Sequence, residues 1–332
     1  MTYVIAEIGV NHNGRLDLAE KLIFIAKKAG ANAVKFQCFQ ADKLARKDTP
    51  KTQYQLLNDK EKRSHYQMLK SLELSKFEFM KLRDICKKMN IDFIVTPYGL
   101  EDVEILNQIN VDMIKISSAD LTDKSLIEAA CRTKIPLIIS TGMSTLQEIE
   151  RTCQTIKAYD INDFSLLHCT SSYPADVASL NIKAINQLKS LTRKIGYSDH
   201  SKYGLGSYIA AAYGAEIFER HITIDKKMKG PDHHCSDELE DFCEYIKRIK
   251  DIKLAIGNGI KEIQEAEKDM KRVSRKSAYL QIDVKKGSLI NIKDFIFQRP
   301  GDNGFNEYEI YELISQRYIY KRNFQLGEKF EK

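Results

Sequence analysis

The sequence predicts an α/β protein in which a (β/α)8 barrel, the TIM-barrel architecture, is followed by a small β-rich domain. Two observations predict this fold. Short apolar runs that suit buried parallel strands alternate eight times with longer segments whose apolar residues recur at helical spacing. The chain has 332 residues, and a barrel of this kind takes about 250. The length therefore accommodates one barrel and a C-terminal addition.

The predicted strands and helices follow one another in strict alternation. The strands are expected at residues 4–8, 33–36, 93–95, 113–116, 137–139, 164–167, 194–197 and 216–218. The helices are expected at residues 16–29, 77–89, 103–109, 126–131, 146–158, 182–188, 205–213 and 239–256. Ser144 or Thr145, followed by Glu148, has the pattern of a helix N-terminal cap and predicts the start of the fifth helix.

The residues after the barrel change character. We place the barrel domain at residues 1–268 and a linker with the small domain at residues 269–332. Short alternating runs follow the linker, with turns at Pro300-Gly301 and Gly304 and a helix expected at residues 307–314. A domain of this size is expected to cover the barrel mouth or to contact a partner.

Composition and charge exclude several classes of protein. The net charge is +6, and the lysines are dispersed among comparable numbers of acidic residues, so nucleic-acid binding is not predicted. No apolar run is long enough to cross a bilayer, and Met1 leads into the first strand without a signal-peptide pattern. The seven cysteines lack framework spacing and are expected to be reduced. We expect a soluble, cytoplasmic protein that makes no membrane contact.

Polar residues stand at the carboxyl ends of nearly all predicted strands, where barrel enzymes carry their active sites. They are Glu7, Lys35, Gln37, Thr96, Lys115, Ser117, Ser118, Ser140, Thr141, His168, Ser171, Tyr173, Ser198, Asp199, His200, Glu219 and His221. Charged groups inside otherwise apolar strands are unfavourable unless they are paired or liganded. The sequence therefore predicts the catalytic face of a barrel enzyme.

His200 and His221 close two consecutive strands, and the pair predicts a metal site. Imidazole together with oxygen ligands suits Mn²⁺, Fe²⁺, Co²⁺, Ni²⁺ or Zn²⁺, and the residue types leave the choice open. Glu219 is a third candidate ligand by position. Asp232, in the polar loop at residues 230–235, is expected to add a ligand or to face a substrate.

Lys35 and Lys115 indicate an anionic substrate, because a lysine at a strand end has no solvated surface to cover. The hydroxyls at neighbouring strand ends donate hydrogen bonds to oxyanions without adding charge. A Schiff base on Lys115, as in barrel aldolases, is a second interpretation of the same residue.

The motifs resemble those of the sialic acid synthases, in order along the whole predicted barrel. The matching segments are residues 6–14 (AEIGVNHNG), 34–37 (VKFQ), 96–97 (TP), 115–118 (KISS), 140–143 (STGM), 168–174 (HCTSSYP), 196–200 (GYSDH), 219–221 (ERH) and 230–233 (GPDH). The C-terminal piece resembles the antifreeze-like (SAF) domain of that family at residues 275–277, 285–287 and 299–301, and departs from it at residues 302–307.

The resemblance implies an enzyme that joins phosphoenolpyruvate to the open-chain aldehyde of an N-acylhexosamine, with water, to give a nine-carbon 2-keto acid and phosphate. Such an enzyme is a transferase that forms a C–C bond. N-acetylmannosamine is the first choice of sugar. The implied cofactor is a divalent metal, Mn²⁺ first and Mg²⁺ or Co²⁺ next. The implied assembly is a domain-swapped homodimer.

The resemblance also implies roles for the site residues. His200 and His221 hold the metal, and Glu219, Glu7 and Lys115 are the catalytic candidates. The phosphoenolpyruvate-binding residues are expected to be Lys35, Thr96, Lys115, Ser118, Ser140, Ser171 and Ser198. The sugar-binding residues are expected to be Tyr173, Asp120, Asp232 and Arg299, the last reaching the partner subunit's site.

Three alternatives stay open. The same chemistry on 2,4-diacetamido-6-deoxymannose would give legionaminic acid, and the segment at residues 118–123 leans towards that type of enzyme. A Schiff-base aldolase using Lys115 needs no metal. A non-catalytic sugar-binding protein would keep the barrel without turnover.

Overall fold

The first part of the chain is a closed barrel of eight parallel strands. The computed structural model describes residues 2–51 and 64–332. The strands are β1 (Tyr3–Gly9), β2 (Ala33–Cys38), β3 (Asp92–Pro97), β4 (Met113–Ile116), β5 (Leu137–Ser140), β6 (Ser165–Cys169), β7 (Lys194–Asp199) and β8 (Ile217–His221). Each strand pairs with the next, and β8 pairs with β1. The predicted (β/α)8 barrel is confirmed.

Helices connect the strands and cover the outside of the barrel. They are α1 (Leu16–Ala29), α2 (Ala41–Leu44), α3 (His65–Lys70), α4 (Lys76–Met89), α5 (Leu100–Ile109), α6 (Lys124–Arg132), α7 (Leu146–Lys157), α8 (Ile185–Leu188), α9 (Leu205–Ala212) and α10 (Leu239–Ile256). The main core lies between the strands and these helices. None of the helices in the described residues is long and apolar enough to span a bilayer.

The predicted helices agree closely with the observed ones, and the exceptions have local causes. Thr145 caps α7, and its hydroxyl accepts from the amide of Glu148, as the capping pattern predicted. Residues 182–188 were predicted as one helix but form a 3-10 turn, Ile182–Ala184, before α8. Buried side chains at Ile182 and Ile185 suit the three-residue turn as well as an α-helix, so the periodicity did not separate the two.

Two layers of side chains fill the inside of the barrel. A lower apolar layer consists of Ile5, Ala33, Ile94, Ile138, Leu167 and Ile217. Successive side chains of a strand point to opposite faces, so the residue two positions further on points inward again. Those residues are Glu7, Lys35, Thr96, Ser140, Cys169 and Glu219. The strand pairing therefore places a polar layer directly above an apolar one, at the carboxyl ends of the strands.

The C-terminal residues form a second compact unit. The two units are Met1–Gly257 and Asn258–Lys332, so residues 258–268, which the sequence analysis gave to the barrel domain, lie in the second unit. This unit contains helix α11 (Lys268–Ser274), the antiparallel strands β9 (Ser277–Leu280) and β10 (Phe295–Gln298), and helix α12 (Glu307–Ser315). It has its own apolar core. Its assignment as an antifreeze-like domain stays a prediction.

Candidate active site

The carboxyl ends of the barrel strands surround a cavity of about 910 Å³. Its wall includes thirteen of the predicted site residues: Glu7, Lys35, Thr96, Lys115, Ser118, Ser140, Ser171, Tyr173, Ser198, His200, Glu219, His221 and Asp232. Asp120 is not in this wall, and its carboxylate accepts a hydrogen bond from Ser117 instead. Arg299 lies in the second unit, Asn258–Lys332. The sugar-binding roles of Asp120 and Arg299 stay predictions.

Two lysines and two glutamates form a buried charge network at the floor of the cavity. Lys35 Nζ lies 2.9 Å from Glu7 Oε2 and 3.8 Å from Glu219 Oε2. Lys115 Nζ lies 3.7 Å from Glu219 Oε2, and Ser198 donates to Glu219 Oε1 at 2.8 Å. The parallel register places Glu7 beside Lys35 and Ser198 beside Glu219, which is why these side chains meet. The charges balance, as burial requires.

The two carboxylates of the network differ in acidity. Burial by itself raises the pKa of Glu219, but Lys115, Lys35 and the Ser198 hydroxyl outweigh it and lower that pKa to about 2. Burial raises the pKa of Glu7, and the charge of Glu219 raises it further against the opposing effect of Lys35. Glu219 is thus held as an anion, whereas Glu7 is the better proton acceptor.

The two lysines differ as well. Burial lowers the pKa of Lys115, and the nearby Glu219 only partly offsets it. Burial acts in the same direction on Lys35, but Glu219 and Glu7 together raise its pKa above the ordinary value. Lys35 is therefore a fixed cation. Lys115 loses its proton more easily, which keeps the Schiff-base interpretation open.

The two imidazoles face each other across the same cavity. The ring centroids of His200 and His221 are 5.8 Å apart, and the ring of Tyr173 packs against both. His200 Nδ1 lies 2.8 Å from the carbonyl oxygen of Thr170, so Nδ1 carries the proton and Nε2 keeps its lone pair. His221 Nδ1 is buried, has no hydrogen-bond partner among residues 2–51 and 64–332, and lies 4.0 Å from Asp232 Oδ2. Burial lowers the pKa of both rings.

These histidines fit a divalent metal by their chemistry. Both are neutral, one is oriented by a backbone carbonyl, and the other presents a buried nitrogen without a partner. Within residues 2–51 and 64–332, no group of three or more His, Cys, Asp and Glu side chains is arranged to hold a metal. A cation bound here would therefore take two imidazoles and leave positions for water or substrate oxygens.

Hydroxyl groups line the part of the cavity next to Lys115. Ser140 Oγ is buried and has no hydrogen-bond partner in the described part of the chain, and Ser118 Oγ accepts from the amide of Gly142 at 3.0 Å. A Cβ at Gly142 would lie 2.3 Å from Ser171 Oγ, so this approach of backbone to hydroxyl requires glycine. The arrangement concentrates donors that suit an oxyanion.

Gln37 and Cys169 line the cavity and were given no role in the site from the sequence, although Gln37 was named among the strand-end residues. Gln37 donates to Glu7 Oε1 at 3.3 Å, and Cys169 Sγ lies 3.2 Å from Ser118 Oγ. Cys169 was interpreted only as a reduced core thiol; it is free and buried, but it also lines the cavity. The two-residue period of a strand is the signal that finds both, because Gln37 shares a face with Lys35, and Cys169 with Leu167.

One side of the cavity is apolar. It is formed by Val10, Phe39, Leu44, Met68, Leu69 and Leu72. These residues belong to the segment after β1, to the β2 connection, to helix α3 and to the turn after it, and they pack together as a cluster separate from the main core. The same segments also place Arg46, Thr49 and His65 in the cavity wall, so a ligand here meets hydrocarbon with polar groups beside it.

Comparison with known proteins identifies a matching family and several similar proteins. The profile of the NeuB family matches residues 22–261. The N,N'-diacetyllegionaminic acid synthase of Legionella pneumophila is 38% identical over 320 residues, which cover 95% of this chain and 90% of that protein. The protein of the same name from Campylobacter jejuni is 36% identical and covers 98% of both chains.

A solved structure agrees with these sequences. The N-acetylneuraminic acid (sialic acid) synthetase of Leptospira borgpetersenii, in complex with citrate, aligns with a TM-score of 0.71 at 34% identity and covers 81% of this chain and 90% of that one. The motifs, the barrel and the relatives lead to one conclusion. The chain belongs to the NeuB family, the sialic acid synthase family, and is an enzyme of nonulosonic acid synthesis.

Proposed function

We propose that this cavity joins phosphoenolpyruvate to the open-chain aldehyde of an N-acylated hexosamine, giving a nine-carbon 2-keto sugar acid and phosphate. The observation that carries the proposal is one cavity that holds two buried lysines, a group of hydroxyls and two facing neutral imidazoles. An anion and a carbonyl oxygen can be bound there side by side. The reaction makes the enzyme a transferase that forms a C–C bond.

Phosphoenolpyruvate is assigned to the side of the cavity that carries the lysines. Lys35 and Lys115 supply the positive charge, and the donors around them are Thr96, Ser118, Ser140 and Ser171. The orphaned hydroxyl of Ser140 supports this assignment, because a buried donor without a partner is unfavourable until a ligand accepts from it. Ser198 already donates to Glu219 and is the least available of the set.

A divalent metal is proposed on His200 and His221, with Mn²⁺ first and Mg²⁺ or Co²⁺ next. When bound, it would act as a Lewis acid on the aldehyde oxygen of the sugar. The protein orients His200 through the carbonyl of Thr170 and holds both rings against Tyr173. Tyr173 and Asp232 lie in the same part of the wall and are proposed to contact the sugar.

Glu7 is the proposed proton acceptor. C3 of phosphoenolpyruvate bonds to the aldehyde carbon, and water adds to C2, where positive charge develops. Glu7 takes one proton of that water, and this proton ends on the former aldehyde oxygen, which becomes a hydroxyl. The other proton of the water leaves with the phosphate when the C2–O bond breaks, giving the 2-keto acid. Burial and the neighbouring Glu219 raise the pKa of Glu7, which supports this role. Glu219, with its lowered pKa, instead keeps Lys35 and Lys115 in place.

For the sugar, we favour 2,4-diacetamido-6-deoxymannose over the first choice from the sequence, N-acetylmannosamine. The apolar cluster in the cavity wall offers hydrocarbon to a 6-methyl group. Two relatives that cover nearly the whole chain are named as diacetyllegionaminic acid synthases, which agrees with this preference. The domain-swapped homodimer with Arg299 at the partner's site, and the cytoplasmic location, stay predictions.

Phosphate release tests the proposal. The purified enzyme is incubated with phosphoenolpyruvate, Mn²⁺ and each of the two sugars in turn. Released phosphate is measured, and the mass of the product is determined by mass spectrometry. We expect phosphate with both sugars and a kcat/KM about tenfold higher for the diacetamido sugar. No phosphate with any N-acyl sugar would favour the binding-protein alternative. A borohydride-trapped pyruvate adduct on Lys115 with full activity in EDTA would favour the aldolase.

A further inference from the structure

The segment Asn11-His12-Asn13-Gly14, which follows β1, makes contacts that the proposed chemistry does not use. Neither Asn11 nor Asn13 lines the cavity. Asn11 is nonetheless buried, and its Nδ2 donates to the carbonyl of Ile222 and to Ser236 Oγ, both at 2.8 Å. These partners lie more than 200 residues along the chain, on either side of the loop that follows β8.

The hydrogen bonds continue from Asn11 to Asp232. Ser236 Oγ, which accepts from Asn11, donates to the carbonyl oxygen of Asp232 at 2.6 Å. The amide of Cys235 donates to the same carbonyl at 3.2 Å. The side chain of Asp232 is buried and reaches within 4.0 Å of His221 Nδ1. A chain of two hydrogen bonds thus joins Asn11 to the backbone that carries Asp232.

Asn13 holds the other end of the same loop. Its Nδ2 donates to the carbonyl of Lys229 at 2.9 Å, and its Oδ1 lies 3.2 Å from His233 Nε2. His233 Nε2 therefore donates, and His233 Nδ1 accepts from Thr223 Oγ1 at 2.7 Å. A Cβ at Gly230 would lie 2.6 Å from the ring of His233, so the loop fits here only with glycine.

We infer that Asn11 and Asn13 are positioning residues that hold the loop at residues 229–236 so that the Asp232 carboxylate faces the sugar. The inference rests on the proposed function, in which Asp232 contacts the sugar. Asn13 holds Lys229 before Asp232, and Asn11 holds Ser236 after it. Two anchors on opposite sides fix the direction of the side chain between them. Lys35 and the hydroxyl groups of the phosphoenolpyruvate side take no part in these bonds.

The test combines kinetics with hydrogen exchange on the full-length enzyme. The variants are Asn11→Ala, Asp232→Asn and the double variant. Thr133→Val is the matched control, because it also removes two hydrogen bonds, from Thr133 Oγ1 to the carbonyl of Ala130 and from the amide of Ile135 to Thr133 Oγ1, at the amino end of β5. A change in stability alone would appear in the control as well as in Asn11→Ala.

We expect Asn11→Ala to raise the KM for the sugar about tenfold and to leave the KM for phosphoenolpyruvate within twofold, and Thr133→Val to change neither. Amide exchange at residues 229–236 should be faster in Asn11→Ala and unchanged in Thr133→Val. Adding Asn11→Ala to Asp232→Asn should give less than a further twofold loss of kcat/KM, because both changes act through one carboxylate.

Unchanged amide exchange at residues 229–236 in Asn11→Ala would overturn the inference. Losses of kcat/KM that multiply in the double variant would overturn it too. An equal rise in both KM values would do the same. These outcomes require an active wild-type enzyme. A wild type that releases no phosphate with any sugar would instead refute the proposed function, and with it the positioning of Asp232 for a sugar. Thus the two failures are told apart by the wild-type assay.

Discussion

Lys35 and Glu7 form a buried ion pair across the neighbouring strands β1 and β2, with Lys35 Nζ 2.9 Å from Glu7 Oε2. The same ammonium reaches Glu219 at 3.8 Å. One lysine therefore joins two carboxylates of different acidity at the floor of the cavity. Glu7, the weaker acid, is suited to accept a proton. Glu219, the stronger acid, stays charged and holds the lysines in place.

Replacing Glu7 by Gln should lower kcat by about 100-fold, because the amide keeps the shape but cannot take a proton from water. The KM for phosphoenolpyruvate should change by no more than a few fold, since Lys35 still has Glu219 nearby. Steady-state phosphate release measures both constants. A variant with near-normal kcat would show that another group accepts the proton.

Removing the metal should abolish the reaction, and adding Mn²⁺ should restore it. His221→Ala should weaken Mn²⁺ binding, measured by electron paramagnetic resonance, because one of two imidazoles is lost. His234→Ala is the control, since His234 is exposed and does not line the cavity. Equal Mn²⁺ affinity in the wild type and His221→Ala would contradict the metal assignment, whatever the activity.

Asp237→Asn should lower the free energy of unfolding by about 3 kcal/mol, because it removes the carboxylate that accepts two hydrogen bonds from the buried guanidinium of Arg220 and leaves the more distant Asp199, 3.7 Å away. Arg220 Nη2 lies 3.0 Å from Asp237 Oδ1. Asp269→Asn removes an exposed partner of Arg272 and should change stability by less than about 1 kcal/mol. Urea unfolding compares the two variants. Similar losses of stability in Asp237→Asn and Asp269→Asn would refute the expectation that the buried ion pair contributes more than the exposed one.

Asp102 should make stability depend on pH between about 4 and 6. Burial raises the pKa of this carboxyl to about 6 in the folded chain, so the unfolded chain gives up the proton at lower pH. Stability contributed by the protonated form is therefore present at low pH and lost as the pH rises through this window. Asp102→Asn should be about 1 kcal/mol more stable than wild type at pH 7, since solvent screening limits the effect, and equal to it near pH 3.5.

Thermal unfolding at several pH values checks this prediction. The amide in Asp102→Asn still accepts from the backbone amide of Tyr98, so the start of α5 keeps that bond. A stability difference that does not vary with pH would show that the charge of Asp102 is not the cause.

The barrel could be predicted because its strands and helices are encoded locally. The helices α1 and α10 were predicted with their observed bounds, since each has a continuous apolar stripe. Seven of the eight strands were predicted too short at their carboxyl ends, as at Thr96, Ser140 and His221, whereas β4 was predicted with its observed bounds. Backbone hydrogen bonding between the strands continues at these residues although their side chains are polar, because the side chains line the cavity.

The sequence by itself determined the order of the elements, the barrel, the family and the set of polar residues at the strand ends. Only the tertiary structure decided how that set divides. Register places Lys35 beside Glu7, and the closed barrel brings it within 3.8 Å of Glu219. Lys115 and Lys35 lower the pKa of Glu219, whereas burial and the charge of Glu219 raise the pKa of Glu7. The tertiary structure also brings Asn11 to the loop that carries Asp232, more than 200 residues further along the chain. The physical reason is that acidity and orientation depend on neighbours in space, which spacing along the chain does not specify.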